Sequence, residues 1–243
     1  MLGGLKAYYA EQMVRPGLIG LFVNPFYFAR KELYLAVQEL GPQLGGRVLD
    51  VGCGYRPYES LVPSQEYVGL EIDTPESRAR AKADAFYDGR SFPFEDGSFD
   101  AVICNQVLEH VFEPEEFVRE IARVLKPGGR LLLTVPFVWD EHEQPRDYAR
   151  YSSFGLAALL ERHSFRILHQ RKTAGDVRAL FQMINAYLYK ITVTGSPYVN
   201  LFVTLLLMAP VNLLGVVAAW VTPRNADFFL DNVVLAERKA PAA

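Results

Sequence analysis

The stretch RVLDVGCGYRPYES, residues 47–60, constrains the fold more than any other part of the chain. Arg47–Val51 reads as a buried strand, and it runs straight into Gly52 and Gly54, whose missing Cβ atoms allow a sharp turn and close backbone approach. A buried strand of this kind belongs to a parallel sheet, and parallel neighbours need crossover connections, so the stretch predicts a βαβ unit. The following sequence bears the same rhythm. Strand candidates recur at Tyr67–Ile72, Ala101–Cys104, Arg130–Pro136, Phe165–Gln170 and Asp231–Ala236, with helical patterns between them. In PEEFVREIARVLKPGG the residues Phe117, Val118, Ile121, Val124 and Leu125 fall on one helical stripe, and the helix stops at Lys126-Pro127-Gly128-Gly129. SSFGLAALLERHS repeats the pattern, with Ser152 or Ser153 as the N-cap.

A chain of 243 residues can bury a full single-domain core. Its 25 basic and 28 acidic residues leave a formal charge of −3, which offers no broad cationic field for a nucleic acid backbone. Nucleic acid is therefore not an expected partner. The two cysteines, Cys53 and Cys104, sit in apolar runs without metal-ligand or disulfide spacing, which fits a reducing, cytoplasmic location. The N-terminal sequence lacks the charge and apolar pattern of a secretory signal. The expected organisation is a helical cap over 1–44, an α/β core over 45–171, an apolar helical insertion over 172–228, and a last strand and tail over 229–243.

In an open α/β sheet the ligand site lies beyond the carboxyl ends of the strands, where strand order reverses. The turn after the first strand is then the natural cradle. Glu71, at the end of YVGLEID about 20 residues on, is placed to accept hydrogen bonds from ribose hydroxyls. Asp88, in the loop YDGRSFPFEDGSFD, could take an adenine amino group, although Asp-Gly is also ordinary turn chemistry. A dinucleotide would want a third glycine where Pro57 stands, and no G-K-[ST] follows the turn to make a P-loop.

With VLDVGCG, YVGLEID, FPFEDGSFDAVICNQVLEHV and EIARVLKPGGRLLLTVPF in order, residues 45–170 resemble the S-adenosylmethionine-dependent methyltransferases of Rossmann-like fold. The resemblance implies a seven-stranded, mostly parallel sheet flanked by helices, and S-adenosyl-L-methionine as cofactor. It implies cofactor contacts from Asp50, Gly52 and Gly54 in the first motif, Glu71 at the ribose, Asp88 and Gly89 at the adenine, and Asn105 and Gln106 at the fourth-strand end. The first motif often reads GxGxG in this family; here its last position is Arg56, and the loop continues in a pattern similar to a GCGxxPY branch. QVLEH resembles a segment that holds a metal in some quinone-precursor O-methyltransferases, yet Gln106 stands in place of the first acid, so no metal is expected. CNQV at the fourth-strand end lacks the (N/D)PP(Y/F) motif of amino-directed DNA and protein methyltransferases.

Methyl transfer from a sulfonium chiefly requires alignment of the acceptor and, for a hydroxyl, removal of a proton. His142, in the loop PFVWDEHEQPRDYARYSSFG, is the expected base, since an imidazole titrating near ~6.5 suits that task. A solvated loop histidine is an equal alternative. His110, Tyr148 and Tyr151 are the candidate acceptor contacts. The loop resembles that of methyltransferases associated with cell-envelope polysaccharide or lipid-linked sugar synthesis, implying a lipid-linked glycan or other small-molecule acceptor.

From Ile191 to Pro223, 33 consecutive residues include no Asp, Glu, Lys, Arg or His. If the later NVVLAE rejoins the sheet, a single membrane span is excluded by topology. Three readings stand: a hairpin broken near Pro210, an in-plane anchor on the inner face of a membrane, or a helix pair buried in the core or a homodimer interface. A break at Pro210 would leave arms of ~18 Å, too short for a bilayer core of ~30 Å.

Overall fold

The computed structural model describes residues 2–240; the end of the expected tail, residues 241–243, lies outside them. The chain divides into two units. The first contains the residues up to Leu35, Val138–Asp140 and Lys172–Asp231; the second contains Ala36–Phe137, Glu141–Arg171 and the chain from Asn232 onward.

The second unit carries a seven-stranded sheet. Its strands are β1 (Arg47–Val51), β2 (Glu66–Ile72), β3 (Ala85–Tyr87), β4 (Phe99–Asn105), β5 (Leu125–Pro136), β6 (Phe165–Lys172) and β7 (Asp231–Arg238), in the order β3-β2-β1-β4-β5-β7-β6. Parallel pairing joins β1 to both β2 and β4, with Leu49 opposite Val68 and Val102, and continues from β2 to β3 and from β4 to β5. The order reverses between β1 and β4, which makes the carboxyl end of β1 the switch point. Six of the strands follow from the apolar runs; β3, with three residues, has no such run to announce it.

The sheet is buried because its strands are apolar on both faces: Leu49, Leu70, Val102, Leu131, Leu133 and Val234 are all inaccessible to solvent. Each such side chain contributes about 1.5–3 kcal/mol relative to exposure. The helix Pro114–Val124 buries Phe117, Val118, Ile121 and Val124, the stripe read from the sequence, while Leu125 already begins β5. Ser152 is the N-cap of the helix Ser153–Arg162, accepting the Gly155 N–H at 3.1 Å.

In the first unit, Tyr27, Phe28, Ala29, Ala174, Ala179 and Leu230 form the buried cluster. The uncharged segment is not broken at Pro210. It forms one helical stretch, Pro197–Val221, of 25 residues, with a π-helical turn at Thr204–Met208 immediately before Ala209 and Pro210. A π-turn already displaces the backbone ladder, so the missing proline N–H and the bulk of its ring are accommodated there. Asn185, from the helix Arg178–Thr192, donates to the Met208 carbonyl at 3.2 Å and to Asn212 Oδ1 at 2.9 Å, and Asn212 donates to Leu21 and Asn24 carbonyls. Thr204, Met208, Ala209, Asn212 and Gly215 make the buried stripe. At about 1.5 Å per residue the helix is roughly 37 Å long, so the two short arms expected from a proline break do not exist.

Candidate functional site

The site is built from the carboxyl ends of β1, β2 and β4. After Val51 the turn doubles back on β2, with the amides of Gly52 and Cys53 donating to the Leu70 carbonyl at 2.9 and 3.2 Å. Gly52, Gly54 and Arg56 all take the left-handed conformation, at φ +69°, +50° and +58°. For Arg56 that conformation costs about 1–2 kcal/mol. The cost is offset outside the turn: the guanidinium pairs with Asp84, lies over the Tyr67 ring at 5.8 Å, and is mostly buried. Arg56 therefore shapes the turn from behind and is absent from the cavity wall.

The cavity itself has a volume of about 690 Å³, within the range of small-molecule sites. Gly52, Gly54, Tyr55, Glu71, Ile72 and Tyr87 line one side; Gln106, Val107, His110 and Val111 line another; Glu143–Arg146 close it from the loop after β5. Glu71 Oε2 accepts the Gly54 N–H at 3.0 Å, tying the end of β2 to the glycine turn and leaving a carboxylate in the wall. Asp50 sits beneath, accepting a hydrogen bond from the Tyr67 hydroxyl at 2.8 Å; burial pushes its pKa up to about 7.

The structure brings together Gly52, Gly54, Glu71, Gln106 and His110 around the cavity, and places the other candidates elsewhere. Asp88 is exposed, and its carboxylate accepts the Arg90 and Ser91 amides at 2.9 and 3.0 Å; neither it nor Gly89 is in the wall. Those amides hold its carboxyl below the usual range. Asn105 is committed to Thr134, whose hydroxyl donates to Asn105 Oδ1 at 2.6 Å, while Gln106, at φ +56°, turns into the cavity. Tyr148 is half exposed against Phe112, and Tyr151 keeps its hydroxyl buried, with a pKa pushed up to about 12 by burial. Neither lines the cavity. Sequence reading missed Tyr55, Ile72 and Val107, whose only signal is that they flank motif residues, and Arg146, which no local pattern marks.

His142 stands behind His110 rather than in the wall, their rings 4.8 Å apart and tilted by 72°. Its backbone N–H donates to Asp147 Oδ2 at 2.9 Å and its Nδ1 lies 3.2 Å from the same oxygen. The Asp147 side chain is only 4% exposed and is gripped by both terminal nitrogens of Arg150, at 2.6 and 2.7 Å, which hold its carboxyl well below the usual range. His110 Nδ1 lies 2.6 Å from the Arg146 carbonyl. His142 is thus an oriented side chain that remains 29% exposed.

S-adenosylmethionine fits this wall on three observations: a carboxylate at the end of β2, a turn whose Gly54 would meet nothing within 4 Å if it bore a Cβ, and the apolar sides of Ile72 and Val107. Comparison with known proteins agrees. Residues 49–133 match a methyltransferase domain family. The chain is 40% identical over 116 residues to an uncharacterized methyltransferase of Mycobacterium sp. (strain JLS), covering 44% of this chain and 45% of that protein. It is 39% identical over 105 residues to the ubiquinone biosynthesis O-methyltransferase of Xanthomonas oryzae pv. oryzae, covering 37% and 43%. The chain thus spans less than half the length of these curated relatives. In fold it is similar to phosphoethanolamine N-methyltransferase 2 of Haemonchus contortus, solved in complex with S-adenosyl-L-methionine, at a TM-score of 0.55 and 19% identity over 91% of this chain and 56% of that one. Residues 49–133 are a methyltransferase domain, and the glycine turn, Glu71 and Gln106 of the switch-point cavity lie within it.

Proposed function

We propose that the protein transfers a methyl group from S-adenosylmethionine to a hydroxyl of a lipid-linked or cell-envelope glycan acceptor at the inner surface of a membrane. The cofactor half of the reading rests on Glu71 and the glycine turn; Gly52, Gly54 and Gln106 complete the wall set with Asp50 beneath it, bonded to Tyr67, while Asp88, Gly89 and Asn105 would contribute only after local movement. S-adenosylmethionine supplies an electrophilic methyl on a good leaving group. The chain's own tasks are to exclude water, align the acceptor and remove its proton. The last task falls to the imidazole pair, His110 in the wall and His142 behind it, while Tyr148 and Tyr151 would reach an acceptor only after movement of their loop.

The observation that carries the acceptor class is the outer face of Pro197–Val221. Only 28% of its most apolar 18-residue window is buried, the mean hydropathy of that window is 2.3, and Tyr198 and Trp220 stand exposed near its two ends. Amphipathic aromatics at the ends of an apolar helix favour the membrane interface. A self-associated dimer through this face is the competing arrangement.

Labelled methyl transfer into a membrane lipid extract, compared with a soluble metabolite extract, tests the reading. Label in the lipid fraction supports it. Label only in soluble metabolites overturns the acceptor class, and calorimetry showing no binding of S-adenosylhomocysteine overturns the cofactor and leaves a non-catalytic binding role. A quinone-like acceptor is the second reading, favoured by the name of the Xanthomonas relative, and a synthetic polyprenyl-phenol substrate separates it from a glycan. Trp220 emission, read in a Trp139→Phe background, should shift to the blue on mixing with anionic vesicles if the face meets lipid.

A further inference from the structure

We propose that the turn over residues 16–23 is a second membrane contact, a tip that enters the boundary between headgroups and acyl chains of an anionic bilayer. From Pro16 to Ala29 the chain has 14 consecutive residues without a charge. Leu18, Ile19 and Phe22 expose their apolar side chains there, Leu18 to 79%. An ordinary surface loop does the opposite: it exposes polar side chains and lets water satisfy its peptide groups.

The second observation is where the peptide groups around this turn find partners. Asn24 Nδ2 donates to the Gln12 carbonyl at 2.9 Å, Asn212 Nδ2 to the Leu21 and Asn24 carbonyls at 2.9 and 3.1 Å, and Gln182 Nε2 to the Pro25 carbonyl at 3.1 Å. Gln182 Oε1 also accepts the Phe28 and Ala29 amides at 3.1 and 3.2 Å, and Gln12 Oε1 accepts the Gly17 amide at 2.8 Å. All four side chains are buried, none more than 5% exposed. Within the turn, the Phe22 amide donates to the Ile19 carbonyl and the Asn24 amide to the Gly20 carbonyl, each at 2.9 Å. Irregular backbone is thus hydrogen-bonded from the protein side while apolar side chains face outward. For a loop in water this arrangement is superfluous, since solvent serves the same carbonyls. In lipid it is required, because irregular backbone persists at membrane depth only where the protein supplies its partners.

Charge selects the occupant. Arg15 precedes the uncharged run, Arg30 and Lys31 follow it, and with Lys6 the first 31 residues have four cations against one acid, Glu11, in a chain of net charge −3. Cations that bracket an apolar tip match an anionic headgroup layer. A protein partner would not require the backbone to be satisfied from within, because its own polar groups and interfacial water would serve. The contact goes beyond the face of Pro197–Val221 and rests on the membrane half of the reading above; it needs neither methyl donor nor acceptor. Asn212 belongs to that helix and holds the turn by two bonds, so both contacts are part of one folded unit.

Two labelled positions separate the turn from the helix face. Leu18→Cys and, in the exposed face of the long helix, Leu206→Cys are each placed in the full chain and labelled with a polarity-sensitive nitrobenzoxadiazole dye; the native Cys53 and Cys104 are buried. Each is mixed with vesicles of phosphatidylcholine alone and of phosphatidylcholine with phosphatidylglycerol. Emission from the dye at Leu18→Cys should shift to the blue with the anionic vesicles and be quenched by lipids brominated on the upper acyl chain. Leu18→Asp should lower vesicle partitioning about 10–100-fold by flotation. Phe154→Asp, at an aromatic 83% exposed in the other unit, should leave it unchanged. Circular dichroism and S-adenosylhomocysteine affinity report that each variant is folded. A response at Leu206→Cys without one at Leu18→Cys overturns the tip and leaves the membrane reading standing, whereas no response at either overturns both. Equal partitioning of Leu18→Asp and the wild type, an equal shift on phosphatidylcholine alone, or a blue shift that grows with protein concentration without vesicles, the mark of a second copy, also overturns the proposal.

Discussion

Gly52→Ala is the substitution on which the geometry speaks most directly. Two costs add. Gly52 is at φ +69°, where an L side chain loses about 1–2 kcal/mol, and the new Cβ would stand 2.3 Å from Val107 Cγ2, an overlap whose relief costs about 1–3 kcal/mol. The total is about 2–5 kcal/mol. Gly54→Ala is the internal control: its φ of +50° brings the first cost alone, since its Cβ would meet nothing within 4 Å. Urea unfolding should therefore rank Gly52→Ala well below Gly54→Ala. The order reverses for S-adenosylhomocysteine affinity measured among the folded molecules, because the Gly54 methyl occupies open cavity. A double-mutant cycle with Val107→Ala isolates the overlap and should return a coupling of about 1–3 kcal/mol. Equal destabilisation by the two alanines, or no coupling to Val107, would refute the reasoning.

Three further outcomes are expected. Glu71→Gln should weaken S-adenosylhomocysteine binding about 10–100-fold by calorimetry, from the loss of charge-assisted hydrogen bonds of about 1.5–3 kcal/mol, while Asp88→Ala, already engaged with its own turn, should have a smaller effect. Burial raises Asp50 from 3.8 to about 7, so the folded chain retains a proton that the unfolded chain has released; this stabilisation is full below about pH 4 and is lost as pH rises through about 7. Asp50→Asn should then be more stable than the wild type above pH 7, by at most about 4 kcal/mol in urea titrations. Asn185→Leu removes the donor to Met208 and Asn212, and should destabilise the helical unit by about 1–3 kcal/mol, read as faster amide exchange along Pro197–Val221.

What could be read in advance follows from where the information lies. Strands such as Leu49 and Val102 announce themselves because both faces are buried and every residue must be apolar. The glycine turn and Glu71 are legible because backbone conformation and ligand chemistry restrict those positions locally. Pro210 misled, since a proline reads as a break unless a partner such as Asn185, distant in sequence, stabilises a π-turn beside it. Asp88 is engaged with its own turn, and since one carboxylate can serve a turn or a ligand, local sequence does not distinguish the two. The contact of His110 with His142 spans two loops, so no spacing rule contains it.

Arg56 gives the binding turn an unusual dependence. Its partner Asp84 also accepts the Gly69 amide at 2.8 Å, and Lys82 donates its amide to the Gly54 carbonyl at 2.7 Å. These clasps precede β3, one of the two edge strands and, at three residues, the shortest. Edge strands fray most readily. Each excursion of β3 would loosen the clasps, so access to the cofactor turn would inherit its rate from fraying at the sheet margin, and a substitution far from any ligand could set how long the ligand stays.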